Sequence, residues 1–378
     1  MVQSTIDFWI DQSKGTAQDI PYYFYLEWNS RFFPQKQAKF ITQSEYEKIV
    51  DSSDNIFRHA IINKFIHRPI TIVGKITGHN IFERENYEYE NDPNYSNIHF
   101  LKSHLQKCIR RKKTEKAIQT AKHLLQIDPI AFLRRLSIIF VEDVSPTHFY
   151  PTLIWLMVAV SSKKFSLSTN HKEWLLGIVH IACEAPYRER FPNKRAKCKS
   201  KSNVIFDNLI DLYKEKRINQ DIMSLIMSFF MRVSFGGMNC DMNMLRIHSS
   251  TWMQRGRNDN EDQKWKDYFY RSVRTISWLV TPLEKHEWEY SAIDFHCFPK
   301  MIDWLLDQYP YLERDQIREI IWKNRSCLNT RGYYGENNKE KSVFEKNRCG
   351  NLISDEEWKE FQKSLNRISF YAIKTSCL

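Results

Sequence analysis

Near Ile98 the pattern of apolar positions becomes regular. Ile98, Leu101, Leu105, Cys108 and Ile109 form one stripe, and Ala117, Ile118, Ala121, Leu124 and Leu125 form the next. Helical periodicity puts such positions on one face, so two successive helices are predicted. Asp128-Pro129 then reads as an N-cap and first helical residue, where proline lacks only an N–H that would be unpaired anyway. Leu133, Leu136, Ile139 and Phe140 carry a third helix forward from it. Ser145-Pro146 repeats the start signal ahead of "TLIWLMVAV", and "HKEWLLGIVHIACEA" gives a fifth helix before Pro186.

Helical spacing resumes in "NVIFDNLIDLYKEK", "QDIMSLIMSFFMRV" and "DMNMLRIHSSTWMQR", the last behind Asp241 as its expected cap. Gly236-Gly237 is expected to make a tight helix–helix turn through positive φ, a ligand-approach loop being the other reading. The C-terminal block holds "FPKMIDWLLDQYP", "RDQIREIIWKN" and "SDEEWKEFQKSLNRI", in which Ser354 and Glu357 have capping-box spacing. Residues 1–97 are less regular. They contain an aromatic run "PYYFYLEW", a helical-looking "SEYEKIVDSSDNIFRHAIINKFI", and a β-like "ITIVGKI" that ends at Gly78 before the polar "YEYENDPNYSN". The pattern predicts a mainly α protein, a multi-helix bundle with a small mixed α/β N-terminal region. Its expected divisions are 1–97, a helical body over 98–255, and a C-terminal helical region over 256–378. No period of repeat-array length is present.

Composition supports long helices and a sizeable core: 42% of the 378 residues are hydrophobic, and 24 Phe, 18 Tyr and 11 Trp stand against only ten Gly and 12 Pro. The most apolar windows, "TLIWLMVAV" and "DIMSLIMSFFMRV", fall short of the roughly 18 residues that a membrane span requires, so no membrane partner is expected. The start "MVQSTIDFWIDQSKG" has neither a basic region nor a continuous apolar one, unlike a secretory signal. Eight cysteines are scattered without a C-x-x-C pair. That argues for reduced thiols in an intracellular setting, cytoplasmic or nuclear, and against a zinc module or disulfide scaffold.

Charge changes the picture more. The 56 Lys and Arg outnumber 45 Asp and Glu, giving +11, which favours an anionic partner, nucleic acid first. Three basic groups stand out. Lys107, Arg110, Arg111, Lys112 and Lys113 crowd one predicted helix end, and Arg134 and Arg135 follow beyond the Asp-Pro break. The stretch "RERFPNKRAKCKSK" adds Arg188, Arg190, Lys194, Arg195, Lys197, Lys199 and Lys201 against a single acid, as a predicted loop. Such clusters bind phosphates by releasing condensed counterions, and aromatics such as those in "YFYRSVRTISW" could stack bases. The plainer reading of any one run is a solvated surface.

Complete catalytic signatures are missing. No phosphate-cradling G-x-x-x-x-G-K followed by Ser or Thr occurs, and no cofactor is expected. "LSIIFVED" looks like an apolar strand ending in metal-binding acids, but the helical spacing through Arg134 and Arg135 favours a helix. The best catalytic candidates are Asp294 and His296 in "AIDFHCFPKMID", with Asp303 as a possible third metal ligand, since imidazole and carboxylate both bind divalent ions and move protons. The competing reading has Asp294 bracing a helix start, His296 bonding locally, and Phe295 and Phe298 packing.

Residues 100–160 resemble the helical region after the ATPase module in clamp-loader relatives, especially the replication-associated recombination ATPases. The matching positions are Lys107, Ile109, Arg110, Ala117, Ala121, Asp128, Pro129, Arg134, Arg135, Glu142 and Asp143. The resemblance implies a collar-like helical fold through which subunits assemble at DNA. It implies no activity, because about 97 residues precede it and they hold no phosphate loop. The leading expectation is therefore a non-catalytic protein of nucleic-acid replication, repair or processing, or of assembly, with protein partners or a second copy meeting apolar helix faces. A metal-assisted enzyme acting on nucleic acid or nucleotides at Asp294 and His296, and a structural subunit of a larger complex, are the alternatives.

Overall fold

The computed structural model describes residues 22–29, 37–50, 56–77, 97–189, 202–256, 263–281, 283–333 and 353–375. The architecture is mainly α with a small mixed sheet, as the pattern predicts. Its two compact units are interleaved along the chain rather than consecutive. Unit 1 comprises 1–85, 146–171 and 191–272; unit 2 comprises 86–145, 172–190 and 273–378. The expected divisions at 97 and 255 thus do not delimit the units, because segments distant in sequence pack into each.

Unit 1 is built on four strands, β1 (Tyr23–Asn29), β2 (Lys39–Ile41), β3 (Ile56–Asn63) and β4 (Arg68–Thr77), in the order β2-β1-β4-β3. β1 and β4 are parallel and central, and the outer pairings are antiparallel. The period-2 alternation sends Tyr25 and Val73 to one face, where Tyr23 stacks on Tyr46 of helix α1 (Gln43–Val50) at 4.1 Å. The helical-looking run over 44–66 is half strand: after α1, the segment Ile56–Asn63 pairs along its whole length with β4. Its Ile and Phe residues suit a pleated surface, and Asn63 turns the hairpin by accepting from Phe65 N–H (2.9 Å) and Ile66 N–H (3.3 Å).

The opposite face receives Trp155 from α5 (Tyr150–Ser161). Its indole N–H lies 3.0 Å from Phe24 O and 3.1 Å from Val73 O, and the ring packs where Gly74 lacks a side chain. A Cβ on Gly74 would come within 2.7 Å of that ring. Residues Tyr150 to Ala159 of α5 are all buried, which identifies "TLIWLMVAV" as a core helix. Among the described residues no helix is long and apolar enough to cross a membrane. The helix does not start at Ser145-Pro146; Phe149 is its N-cap, and Ser145 instead donates to Glu189.

Also in unit 1 are α7 (Ser202–Lys214), α8 (Gln220–Ser234), α9 (Asn239–Arg255) and α10 (Gln263–Phe269). Gly236 and Gly237, with φ of 71° and 154°, make the expected α8–α9 turn. Asp241 lies in the first turn of α9 rather than capping it, since the helix begins two residues earlier, after Met238. α6 (Thr169–Glu184) begins in unit 1 and continues in unit 2.

Unit 2 contains α2 (Ile98–Arg110), α3 (Thr114–Ile127), α4 (Pro129–Glu142), α11 (Lys300–Gln308), α12 (Arg314–Ile321) and α13 (Asp355–Lys374). Asp128 caps α4 through Ala131 N–H at 2.8 Å, and Ser354 and Glu357 form the capping box of α13. "IIFVE" is the end of α4, not a strand. Leu101, Leu105, Cys108 and Ile109 are buried along α2, but so are Phe100, His104, Gln106, Lys107 and Arg110. α2 is therefore enclosed on nearly every side, and its polar residues need partners inside the protein.

Gly74→Ala is expected to push against the rigid Trp155 ring and cost about 1–3 kcal/mol, as overpacking of a filled core does. Urea unfolding followed by tryptophan fluorescence checks it; an unchanged midpoint would show that the ring has room to move.

Candidate functional site: a buried charge network in unit 2

Two α2 cations enter the interior with carboxylates. Arg110, 5% exposed, donates through Nε to Asp143 Oδ1 (2.5 Å), through Nη2 to Glu142 Oε1 (2.8 Å) and through Nη1 to Ser326 O (2.5 Å). Gln106 Nε2 bridges the same acids at 2.8 Å each, and Asn329 Nδ2 donates to Asp143 O at 3.1 Å. Lys107, 4% exposed, pairs with Asp294 and also donates to Ser103 Oγ (2.8 Å) and Ala292 O (3.0 Å), using its three donors. These residues are not an exposed phosphate-binding surface. Their helix is enclosed, and each charge is compensated where it lies.

Asp294 is fully engaged. Oδ2 accepts from Lys107 and Ser326 Oγ (2.6 Å), and Oδ1 accepts from His296 N–H (2.9 Å) and its Nδ1 (3.1 Å). Burial alone would raise its pKa, but Lys107 and His296 outweigh that and hold it well below the usual carboxylate range. With these groups at its two oxygens, Asp294 is held as the counter-charge of Lys107. The His296 side chain is 56% exposed. Asp303 is separately engaged with Arg314 at 2.5 Å on an exposed surface, so the proposed three-ligand set does not form. Among the described residues no group of three or more His, Cys, Asp or Glu side chains could hold a metal ion. Phe298 is buried, as the bracing reading requires.

His104, one turn before Cys108, has a defined tautomer. Thr120 donates its hydroxyl to Lys116 O (2.6 Å), so at 2.8 Å it accepts from His104 Nδ1–H; Nε2 accepts from Glu289 N–H (3.0 Å). Burial, reinforced by Lys116, Lys107 and Arg111, lowers the His104 pKa to about 3. The ring is a neutral bracket between two segments.

Arg331 was not singled out by the sequence. Its Nε donates to Ala185 O (2.8 Å), Nη1 to Ile109 O (2.7 Å) and Arg110 O (3.3 Å), and Nη2 to Ala182 O (2.7 Å) and Cys183 O (2.6 Å). One guanidinium thus satisfies carbonyls at the C-terminal ends of α2 and α6, where helix dipoles favour a cation. Nothing in "RGYYG" signals this, because the acceptors are backbone atoms of distant segments.

The remaining basic candidates separate. Arg111 is partly buried and donates to Arg325 O (2.7 Å). Lys112 and Lys113 are exposed in the α2–α3 turn, Lys112 at φ 56°. Arg134 and Arg135 lie partly buried on α4 near Lys102 of α2, which the sequence reading did not select. Burial, then Arg135 and Arg134, lower the Lys102 pKa against the opposing pull of Asp128. Arg188 stacks over Tyr333 at 4.1 Å. Arg190, Lys194, Arg195, Lys197, Lys199 and Lys201 lie outside the described residues. Of the aromatic stacking candidates, Tyr268 and Phe269 are buried and Tyr270 is exposed.

Compared with models of known protein families, with characterised proteins and with solved structures, the chain matches none.

Asp143→Ala strands the buried Arg110 charge and is expected to cost about 3–5 kcal/mol, whereas His296→Ala loses one exposed partner and costs about 1 kcal/mol or less. Chemical denaturation of both variants checks the ranking, which equal losses would contradict. A second expectation concerns pH. Unfolding returns His104 to its ordinary value of 6.5, so below that pH the unfolded chain takes up a proton that the folded chain refuses. Its contribution is complete above pH 6.5 and falls as pH drops towards 3, by at most about 1.4 kcal/mol per pH unit, with Asp294 adding loss in the same direction below its ordinary 3.8. Denaturant midpoints measured from pH 7 to 4 should fall for the native chain and flatten for His104→Gln; parallel profiles would remove His104 from the account.

Proposed function

We propose that this protein is a non-catalytic, nucleic-acid-associated protein that holds phosphate backbones against a basic edge of unit 2. The observation that carries this reading is the gathering of the partly buried Lys102, Arg134 and Arg135, where burial first and then the arginine charges lower the Lys102 pKa against the pull of Asp128. Like charges held together on a partly buried helix pair raise the local positive potential, and an anion that approaches them relieves the repulsion. The net charge of +11 extends the same preference to the whole chain. Lys112 and Lys113 supply further exposed positive positions at the other end of α2.

The non-catalytic part rests on Asp294, whose accepting positions are filled by donors of its own unit. The likeness of residues 100–160 to helical collars that work at DNA also supports a role in assemblies on nucleic acid. Lysine and arginine contacts of this kind neutralise phosphates rather than read bases, so the expected binding is sequence-tolerant and salt-dependent.

Fluorescence anisotropy with mixed-sequence single- and double-stranded DNA and RNA tests the proposal. Affinity should fall steeply with salt. Lys102→Glu with Arg134→Glu should weaken binding at least about tenfold and reduce the log–log salt slope by about two, near one per lost phosphate contact. Binding that is absent at low salt, or unchanged in the double variant, overturns the assignment.

A further inference from the structure

Among the described cations of unit 2, Arg111, Arg325 and Arg188 have buried donors without a partner, and Arg188 is stacked on Tyr333. Arg110 and Lys107 have carboxylates, and Arg331 has carbonyls. Arg325, 5% exposed, uses only Nη2, towards Tyr290 O and Ser369 Oγ (2.8 Å); its Nε and Nη1 are buried without a hydrogen-bond partner. Nη1 of Arg111 is in the same condition. No described carboxylate is hydrogen-bonded to either guanidinium. Asp294 acts on both through its charge, but its oxygens are already filled, and Glu289 is paired with Lys116 at 2.8 Å.

We propose that Arg111 and Arg325 form an internal binding site for a phosphate-type oxyanion. Buried N–H groups are satisfied in the great majority of proteins, and three orphaned guanidinium donors on two arginines joined by the Arg111 Nη2–Arg325 O hydrogen bond (2.7 Å) are a costly exception. A tetrahedral dianion answers both demands together: it balances two like charges and offers several oxygens to donors that do not share one plane. A carboxylate would answer only one charge. Burial, then the Arg111 charge, lowers the Arg325 pKa to about 10 against the opposing pull of Asp294.

The local backbone is shaped for this. Arg325 sits in a π-turn, Trp322–Ser326, continuing α12, where Cys327 N–H reaches back to Trp322 O at 2.9 Å. Such a turn inserts one residue into a helix, re-aims the side chains that follow, and recurs at functional sites. Here it turns Arg325 inward, towards Tyr290 and Ser369. Arg111, just past the end of α2, is the more accessible member and forms the solvent side of the site.

The site is independent of the nucleic-acid reading, which rests on Lys102, Arg134 and Arg135. Thermal unfolding of the full chain is measured in inorganic phosphate, in a phosphate monoester such as glycerol phosphate, and in chloride at matched ionic strength. Native mass spectrometry is run on the same samples. A saturable rise in Tm of at least about 2 °C in phosphate or the monoester over chloride, with the matching added mass, is expected. A rise with inorganic phosphate identifies a free ion as sufficient; a rise with the monoester alone identifies an esterified phosphate. Arg111→Met, whose lost side chain makes one backbone hydrogen bond, should fold and lose the anion-dependent shift, while Lys102→Glu with Arg134→Glu should keep it. No excess shift over chloride and no bound anion in the native chain, or an undiminished shift in folded Arg111→Met, overturns the proposal.

Discussion

The enclosure of α2 is the constraint on which unit 2 depends. A helix that buries a histidine, a lysine and an arginine within about two turns must have those groups answered within the unit. A buried ion without a partner costs several kcal/mol, and a pair recovers that only with good geometry and further hydrogen bonds. The consequences can be traced outward. Glu142 and Asp143 close α4 beside Arg110, Asp294 holds Lys107 while Ser326 and His296 fill its remaining positions, and Asn329 and Gln106 complete the shell around Asp143.

The same constraint gives the enclosed cations structural roles. Lys107 and Arg110 specify how α2 meets the segments around Asp143 and Asp294, a role in register rather than recognition. Arg331 does comparable work with backbone carbonyls, placing one positive charge at two helix C-termini. Lys102, Arg134 and Arg135 are only partly buried, with Arg135 donating to Gln106 Oε1 at 3.1 Å, and Arg111 and Arg325 carry the unmatched donors. A neutral His104 with both nitrogens committed fits this economy, since a further positive charge there would have no counter-ion.

Unit 1 rests on packing instead. Its central parallel strands carry aromatic and aliphatic residues on both faces, and Trp155 enters against Gly74 while donating to the carbonyls of Phe24 and Val73. A large ring with one polar atom needs both a cavity of its shape and an acceptor. The missing side chain at Gly74 supplies the first and the strand carbonyls the second.

Periodicity by itself determined much: the helices from Ile98 onward, the Asp128-Pro129 start, the capping box at Ser354, the Gly236-Gly237 turn, and the β-like run around Val73. These are local, set by which face a residue shows and which backbone group a nearby side chain can reach. The strand Ile56–Asn63 escaped because a short apolar run is ambiguous between helix and strand until a partner strand is present. The roles of Lys107, Arg110, Asp294 and Arg331 escaped for a stronger reason. The pairings Arg110–Glu142, Lys107–Asp294 and Arg331–Ile109 span 32, 187 and 222 residues, and a lysine on a solvated face reads the same as one buried against an aspartate. Sequence supplied the charges and the helices; only tertiary packing decided which charges were enclosed, because enclosure depends on what distant segments cover.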